Sequence, residues 1–174
     1  MNRKMAGWVV LGWVAICAAG VLSAGGPVAL PAGETMLSDV GVYQISYQSY
    51  GKEVVGMPVS WVGTDEVSGI MYRPGERVLG REGILIHSPW RVPAGKTWID
   101  YRLRLPKVKP VTLSFGIAMR PDIATPDKSD GVTFGCTLLA GGVEKELMRK
   151  HHTEGNWEDF RFDLSEYAGK DITV

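Results

Sequence analysis

Apolar and polar positions alternate one for one through the second half of the chain. In Thr97–Leu105, Ile99, Tyr101, Leu103 and Leu105 fall on one side, and Trp98, Asp100, Arg102 and Arg104 on the other. In Val111–Arg120 the apolar set is Val111, Leu113, Phe115, Ile117 and Met119, against Thr112, Ser114, Gly116 and Ala118. In Gly131–Ala140 it is Val132, Phe134, Cys136 and Leu138. Successive side chains of a strand point to opposite faces, so each run predicts a strand with one buried and one outer side. Lys107-Val108-Lys109-Pro110 and Pro121–Asp130 join these runs with turn chemistry.

Weaker runs surround the three. Val54–Val62 holds Pro58, which suits an edge strand or a bulge. Gly69–Tyr72 and Gly83–His87 are short, and Val143–Arg149 follows Gly141-Gly142, a hairpin signal. Phe160, Phe162 and Leu164 alternate with Arg161 and Asp163. No long stretch repeats apolar residues at helical spacing. Many short strands with glycine turns predict an all-β fold, an antiparallel β-sandwich or jelly roll. The sequence stops at Val174 just as the apolar run Asp171–Val174 begins. That run is expected as an unpaired edge, in a sandwich truncated at its C-terminus. A sandwich that ends on a short edge strand is the alternative.

The first residues follow another pattern. Arg3 and Lys4 precede an uncharged stretch from Met5 to Leu30, densest in apolar residues over Gly7–Ala19. Small residues follow at Cys17-Ala18-Ala19 and Ser23-Ala24-Gly25-Gly26. This is the order of a secretory leader, expected as an N-terminal signal helix over residues 1–24 that is cleaved. The uncharged run also reaches the length of a membrane anchor, roughly 20 residues. A lipoprotein reading of Cys17 is weaker, because Ile16 stands where a small residue is needed. Residues 25–39, rich in Gly, Pro and Ala, read as a linker, and residues 40–174 as the sandwich. Both readings of the leader place the domain outside the cytoplasm, secreted or on the cell surface. A membrane is met only through the N-terminal segment if it is retained.

With hydrophobic content at 45% and charged content at 22%, the 174 residues can form one packed domain. Formal net charge is zero, and without Arg3 and Lys4 the remaining basic residues number 17 against 19 acidic. No basic excess draws the protein to nucleic acid. Cys136 alternates with apolar residues and is expected as a buried, inert thiol, left unpaired once Cys17 departs.

Three segments stand out together. The first is Ile86-His87-Ser88-Pro89-Trp90, ahead of a strand ending Leu103-Arg104-Leu105-Pro106. The second is Ser129-Asp130-Gly131-Val132-Thr133-Phe134. The third is Trp157-Glu158-Asp159, followed by Asp163-Leu164-Ser165-Glu166-Tyr167-Ala168-Gly169-Lys170. Their order resembles secreted jelly-roll domains of the galactose-binding-like class. Among these are the novel putative carbohydrate-binding module (NPCBM) of glycoside hydrolases and related domains in exported proteins of planctomycete-type bacteria. The resemblance covers residues 83–174 and implies the fold more than the ligand. Ser88 departs from it, where the related domains often carry a second proline, and those domains continue past the position of Val174. The same motifs have a plain reading as turns: Asp130 capping its own backbone, Gly131 taking positive φ, and Ala168-Gly169-Lys170 turning before a strand.

Sugar binding asks for an aromatic face beside hydrogen-bonding groups. Trp98 with Asp100, Arg102 and Arg104 is the best such set; a Trp covered by a neighbouring loop is the plain alternative. Trp90 and Trp157 are expected to cap the core. His151 and His152 are adjacent, so on a strand their rings point apart and joint metal ligation is not expected. Asp122, Asp127 and Asp130 bracket one loop and could offer oxygens to a structural calcium, although a solvated acidic turn is the stronger reading. No cofactor is expected. Gly-x-Ser-x-Gly, a phosphate-binding glycine loop and His-Glu-x-x-His are absent. Glu144 and Glu146 share a strand face as solvated decoration more than as a glycosidase pair. The sequence therefore predicts no catalytic residue and a carbohydrate or cell-envelope partner. An envelope structural or protein-interaction domain is the first alternative. The second is an accessory region of a glycoside hydrolase whose catalytic part lies beyond Val174.

Overall fold

A computed structural model describes the backbone of residues 9–12 and 15–16, and residues 26–91 and 94–174 in full. Most of the expected leader, Cys17 and its small-residue positions up to Gly25 lie outside the described residues. The strands are β1 (Val9–Gly12), β2 (Ala15–Ile16), β3 (Val28–Ala29), β4 (Thr35–Met36), β5 (Gln44–Ser49), β6 (Val55–Gly56), β7 (Gly63–Thr64) and β8 (Met71–Val78). They continue as β9 (Arg81–His87), β10 (Gly95–Asp100), β11 (Arg102–Arg104), β12 (Thr112–Met119), β13 (Val132–Ala140), β14 (Val143–His152), β15 (Glu158–Asp163) and β16 (Asp171–Thr173). A four-residue helix, α1 (Leu37–Val40), and a 3-10 turn at Ser165–Tyr167 complete the elements.

A six-stranded sheet runs β15-β12-β1-β9-β8-β7 and a five-stranded sheet runs β14-β13-β16-β11-β3. Their inner faces meet in one core. Tyr72, Ile84, Ile86, Leu113, Phe115 and Ile117 come from the first sheet. Leu103, Phe134, Leu138, Met148 and Ile172 come from the second. The fold is thus an all-β sandwich, as the alternation predicts. Phe115 stacks against Phe160 and Phe162, with ring centroids 5.6 and 5.9 Å apart, which locks β12 to β15. A smaller cluster, Met71, Val78 and Leu85 with Trp157, covers the opposite side of the first sheet.

The hairpin β13–β14 turns at Gly141-Gly142, both at positive φ (57° and 80°). A two-residue loop with positive φ at both positions matches the twist of its strands. At Gly131 (φ 101°) a side chain would meet the His152 carbonyl at 2.7 Å, so glycine is required. Its N–H donates to Ser129 Oγ (3.1 Å), so the serine closes this turn where Asp130 was expected to.

Three expectations change. The terminal strand β16 is not an edge: it lies between β11 and β13 and pairs with both. Within the expected linker, residues 26–39 pack on the sandwich. There β3 pairs in parallel with β11, the Leu30 N–H donates to the Arg104 carbonyl (2.9 Å), and Leu30 and Leu37 are buried in the core. Of the expected signal helix, the described residues Val9–Gly12 form a strand between β9 and β12, where two strand edges offer it backbone partners on both sides.

A third sheet, β10-β5-β6, extends the sandwich at the point where β10 runs on into β11. Tyr101 joins the two by a reciprocal backbone pair with Val174 (2.8 and 3.0 Å). Val55–Gly56 forms the edge of this sheet and Pro58 follows it, in keeping with the edge-strand reading.

Candidate functional site

The continuous path β10–β11 presents two faces. Inward go Tyr101, Leu103 and Leu105, all buried in the core. Outward, at every second position, stand Lys96, Trp98, Asp100, Arg102 and Arg104. Strand β5 lies antiparallel beside β10, so Gln48 opposes Lys96, Ser46 opposes Trp98 and Gln44 opposes Asp100.

Trp98 is half-buried, with the Lys96 Nζ 5.2 Å from its ring centroid. The indole N–H lies close enough to the Asp100 carboxyl to favour its charged form. Burial pushes the Asp100 carboxyl above its ordinary range, against the opposing pull of the Trp98 indole N–H and of the Arg102 charge. Arg102 is exposed, and its guanidinium lies 3.7 Å over the ring centroid of Tyr43. Tyr43 is carried there by a backbone bond from its N–H to the Asp100 carbonyl (2.9 Å). The arrangement is a half-buried indole flanked by a carboxylate, an ammonium and a guanidinium–phenol stack on the outer sheet face.

Of the four residues singled out in the sequence, Trp98, Asp100 and Arg102 come together here. Arg104 is engaged elsewhere: its guanidinium grips Asp171 through two bonds of 2.6 and 2.8 Å and ties β11 to β16. Lys96 and Tyr43 were missed. Lys96 lies one further step of two before Trp98, so the same alternation, carried back past Thr97, reaches it. Tyr43 lies just ahead of β5 and is brought in by its backbone bond to Asp100.

The remaining candidates have other partners. Trp90 is 48% exposed, lies against Gly69 and carries the Arg91 guanidinium over its ring at 5.0 Å, so it does not cap the core as expected. Trp157 covers the smaller cluster and donates from its indole N–H to the Val78 carbonyl (3.1 Å). His151 is exposed and contacts the Asp130 carbonyl (3.0 Å). His152 is buried and sits between Glu158 (3.4 Å) and the Asn156 carbonyl (3.1 Å). Asp122 is held by Arg120 (2.9 and 3.0 Å), and the neighbouring Thr125 side chain and its own backbone draw Asp127 below its ordinary range. Among the described residues no three His, Cys, Asp or Glu side chains converge on one point. Glu146 pairs with Arg149 at 2.6 Å. A cleft of about 320 Å³ opens around His151, His152, Trp157 and Glu158, away from Trp98. His152 and the Trp157 indole N–H are already hydrogen-bonded there.

No family model matches the chain, and no solved structure matches it. An uncharacterized protein of Archaeoglobus fulgidus is 43% identical over 68 residues, which is 36% of this chain. The matched stretch spans 17% of that relative's own length.

Proposed function

We propose that this chain is a non-catalytic carbohydrate-binding sandwich of an exported protein, with its binding face on the outer side of β10. One observation carries the reading. Trp98 is a half-buried aromatic ring on an otherwise polar strand face, beside Asp100 and bordered by Lys96 and Arg102. A pyranose has apolar C–H faces and a rim of hydroxyls. An indole takes the first, while a carboxylate and cationic donors take the second. The resemblance of residues 83–174 to galactose-binding-like jelly rolls, the NPCBM family among them, points the same way, as an analogy of fold. The uncharged leader after Arg3 and Lys4 supports export to a compartment where glycans are met.

Affinity electrophoresis of the full chain through gels cast with soluble polysaccharides tests the reading. Retardation by at least one polysaccharide, lost in Trp98→Ala, supports it. Unretarded migration through galactan, xylan, glucan and mannan gels contradicts it. Fractionation of expressing cells tests the localisation separately.

A further inference from the structure

We infer that the gap between Arg81–His87 and Thr112–Met119 is a strand-accepting slot, filled in the full chain by Val9–Gly12 and built to take an uncharged strand of a partner polypeptide. Strand β1 is antiparallel to β9 and also to β12. The two flanking strands therefore run parallel to each other, two strand spacings apart, roughly 9–10 Å. Parallel neighbours at that distance cannot pair directly; one antiparallel strand between them satisfies both.

The slot also specifies what enters it. Val9 faces Ile86 on one side and Met119 on the other, Val10 faces Leu85 and Ala118, and Leu11 faces Ile84 and Ile117. All six flanking residues are buried. They point alternately to the main core and to the opposite side of the sheet, so an occupant is covered on both faces. Such a strand reads as a continuous apolar run, and a charge in it is costly. At the end of the slot Gly12 lies abreast of Gly83 and Gly116. A side chain on Gly116 would meet Asp159 Oδ1 at 2.7 Å and the Trp157 ring at 3.1 Å. The present occupant reads apolar, apolar, apolar, glycine. Without an occupant, two rows of backbone N–H and C=O groups face each other unpaired, the condition for strand addition from another chain.

The exchange rests on the exported reading proposed above, because the segment now in the slot is the leader that export would withdraw. The slot itself does not depend on it.

Hydrogen exchange of the full chain, with a labelled peptide of residues 7–13 as probe, tests the slot. In the unaltered chain the amides of residues 84–86 and 117–119 are protected and the peptide does not bind. In Val10→Pro they exchange at least 100-fold faster while the β13–β14 hairpin is unchanged. The peptide then restores their protection at one per chain, and a peptide with Asp in place of Val10 does not. Unprotected amides in the unaltered chain, no effect of Val10→Pro, or no rescue by the peptide overturns the slot. Dimerisation of Val10→Pro assigns the slot to a second copy and overturns the partner. Should Val10→Pro lose protection everywhere, the registered pair Val10→Cys/Ala118→Cys decides in a Cys17→Ser background. A 10–118 disulfide supports the slot and its absence refutes it. A cytoplasmic location in cell fractionation removes the exchange and leaves the exchange-protection result standing.

Discussion

The Arg102 guanidinium lies 3.7 Å over the ring of Tyr43, which pins a residue just ahead of β5 to the junction of β10 and β11. The stack forms one border of the Trp98 face. An exposed cation–π pair contributes about 0.5–1 kcal/mol, so its removal is a small matter for the fold. Tyr43→Ala and Arg102→Ala are each expected to lower stability by no more than about 1 kcal/mol in denaturant titration. Each should weaken polysaccharide retardation several-fold. A loss of several kcal/mol in either variant contradicts this assignment.

Asp100 is expected to cost stability in its charged form. Burial raises its folded-state pKa above the ordinary 3.8, so the folded state favours the proton. That contribution is fully present below 3.8 and is lost as pH rises through the raised value. Asp100→Asn stays neutral and keeps a carbonyl oxygen for the Trp98 N–H. The variant should therefore be more stable than the parent at pH 7, and the two should converge near pH 3. Its ligand retention should fall. Equal stability at pH 7 would count against the desolvation argument.

Tyr101 lies in the core with its hydroxyl unpartnered among the described residues. Burial, together with the nearby Tyr72, pushes this hydroxyl far above the ordinary tyrosine range. A buried hydroxyl without a partner costs about 1–3 kcal/mol, whereas a benzyl ring in the same space costs nothing of the kind. Tyr101→Phe is expected to stabilise the fold by about 1 kcal/mol, read as a higher denaturation midpoint at unchanged slope. A lower midpoint would mean that the hydroxyl is satisfied.

Burial raises the Cys136 thiol to about 12, from an ordinary 9.0. At pH 8 its thiolate fraction then falls about 1000-fold, and the thiolate is the reacting species. Labelling of Cys17→Ser chains by a thiol reagent should be slower in buffer than in urea by about that factor. Comparable rates would place Cys136 at the surface.

The fold was legible where period two is unbroken. Tyr101, Leu103, Leu113, Ile117 and Leu138, placed inward by alternation alone, all lie in the core. At β8 the alternation predicts a strand only over Gly69–Tyr72. Pro74-Gly75 interrupts the alternation there, and the structure absorbs it as a shift of register between Pro74 and Glu76 opposite β9. The turn that follows uses Leu79 at φ 49° with Gly80 at φ 80°, and a leucine gives no sequence sign of a positive-φ turn. The interior place of β16 was likewise hidden, because pairing with β11 and β13 is set by contacts distant in sequence. For the site, one alternating run supplies the series from Trp98 to Arg104, but nothing local says that Arg104 spends its charge on Asp171 or that Tyr43 arrives from the segment ahead of β5.

A glycan array probed in parallel with the full chain and with Trp98→Ala bears most directly on carbohydrate binding at the β10 face. The expected result is a defined set of retained glycans, with signal reduced at least tenfold in the variant while its circular dichroism stays that of a β-protein. Retention that is indifferent to Trp98→Ala, or no retention by the folded parent, would contradict it.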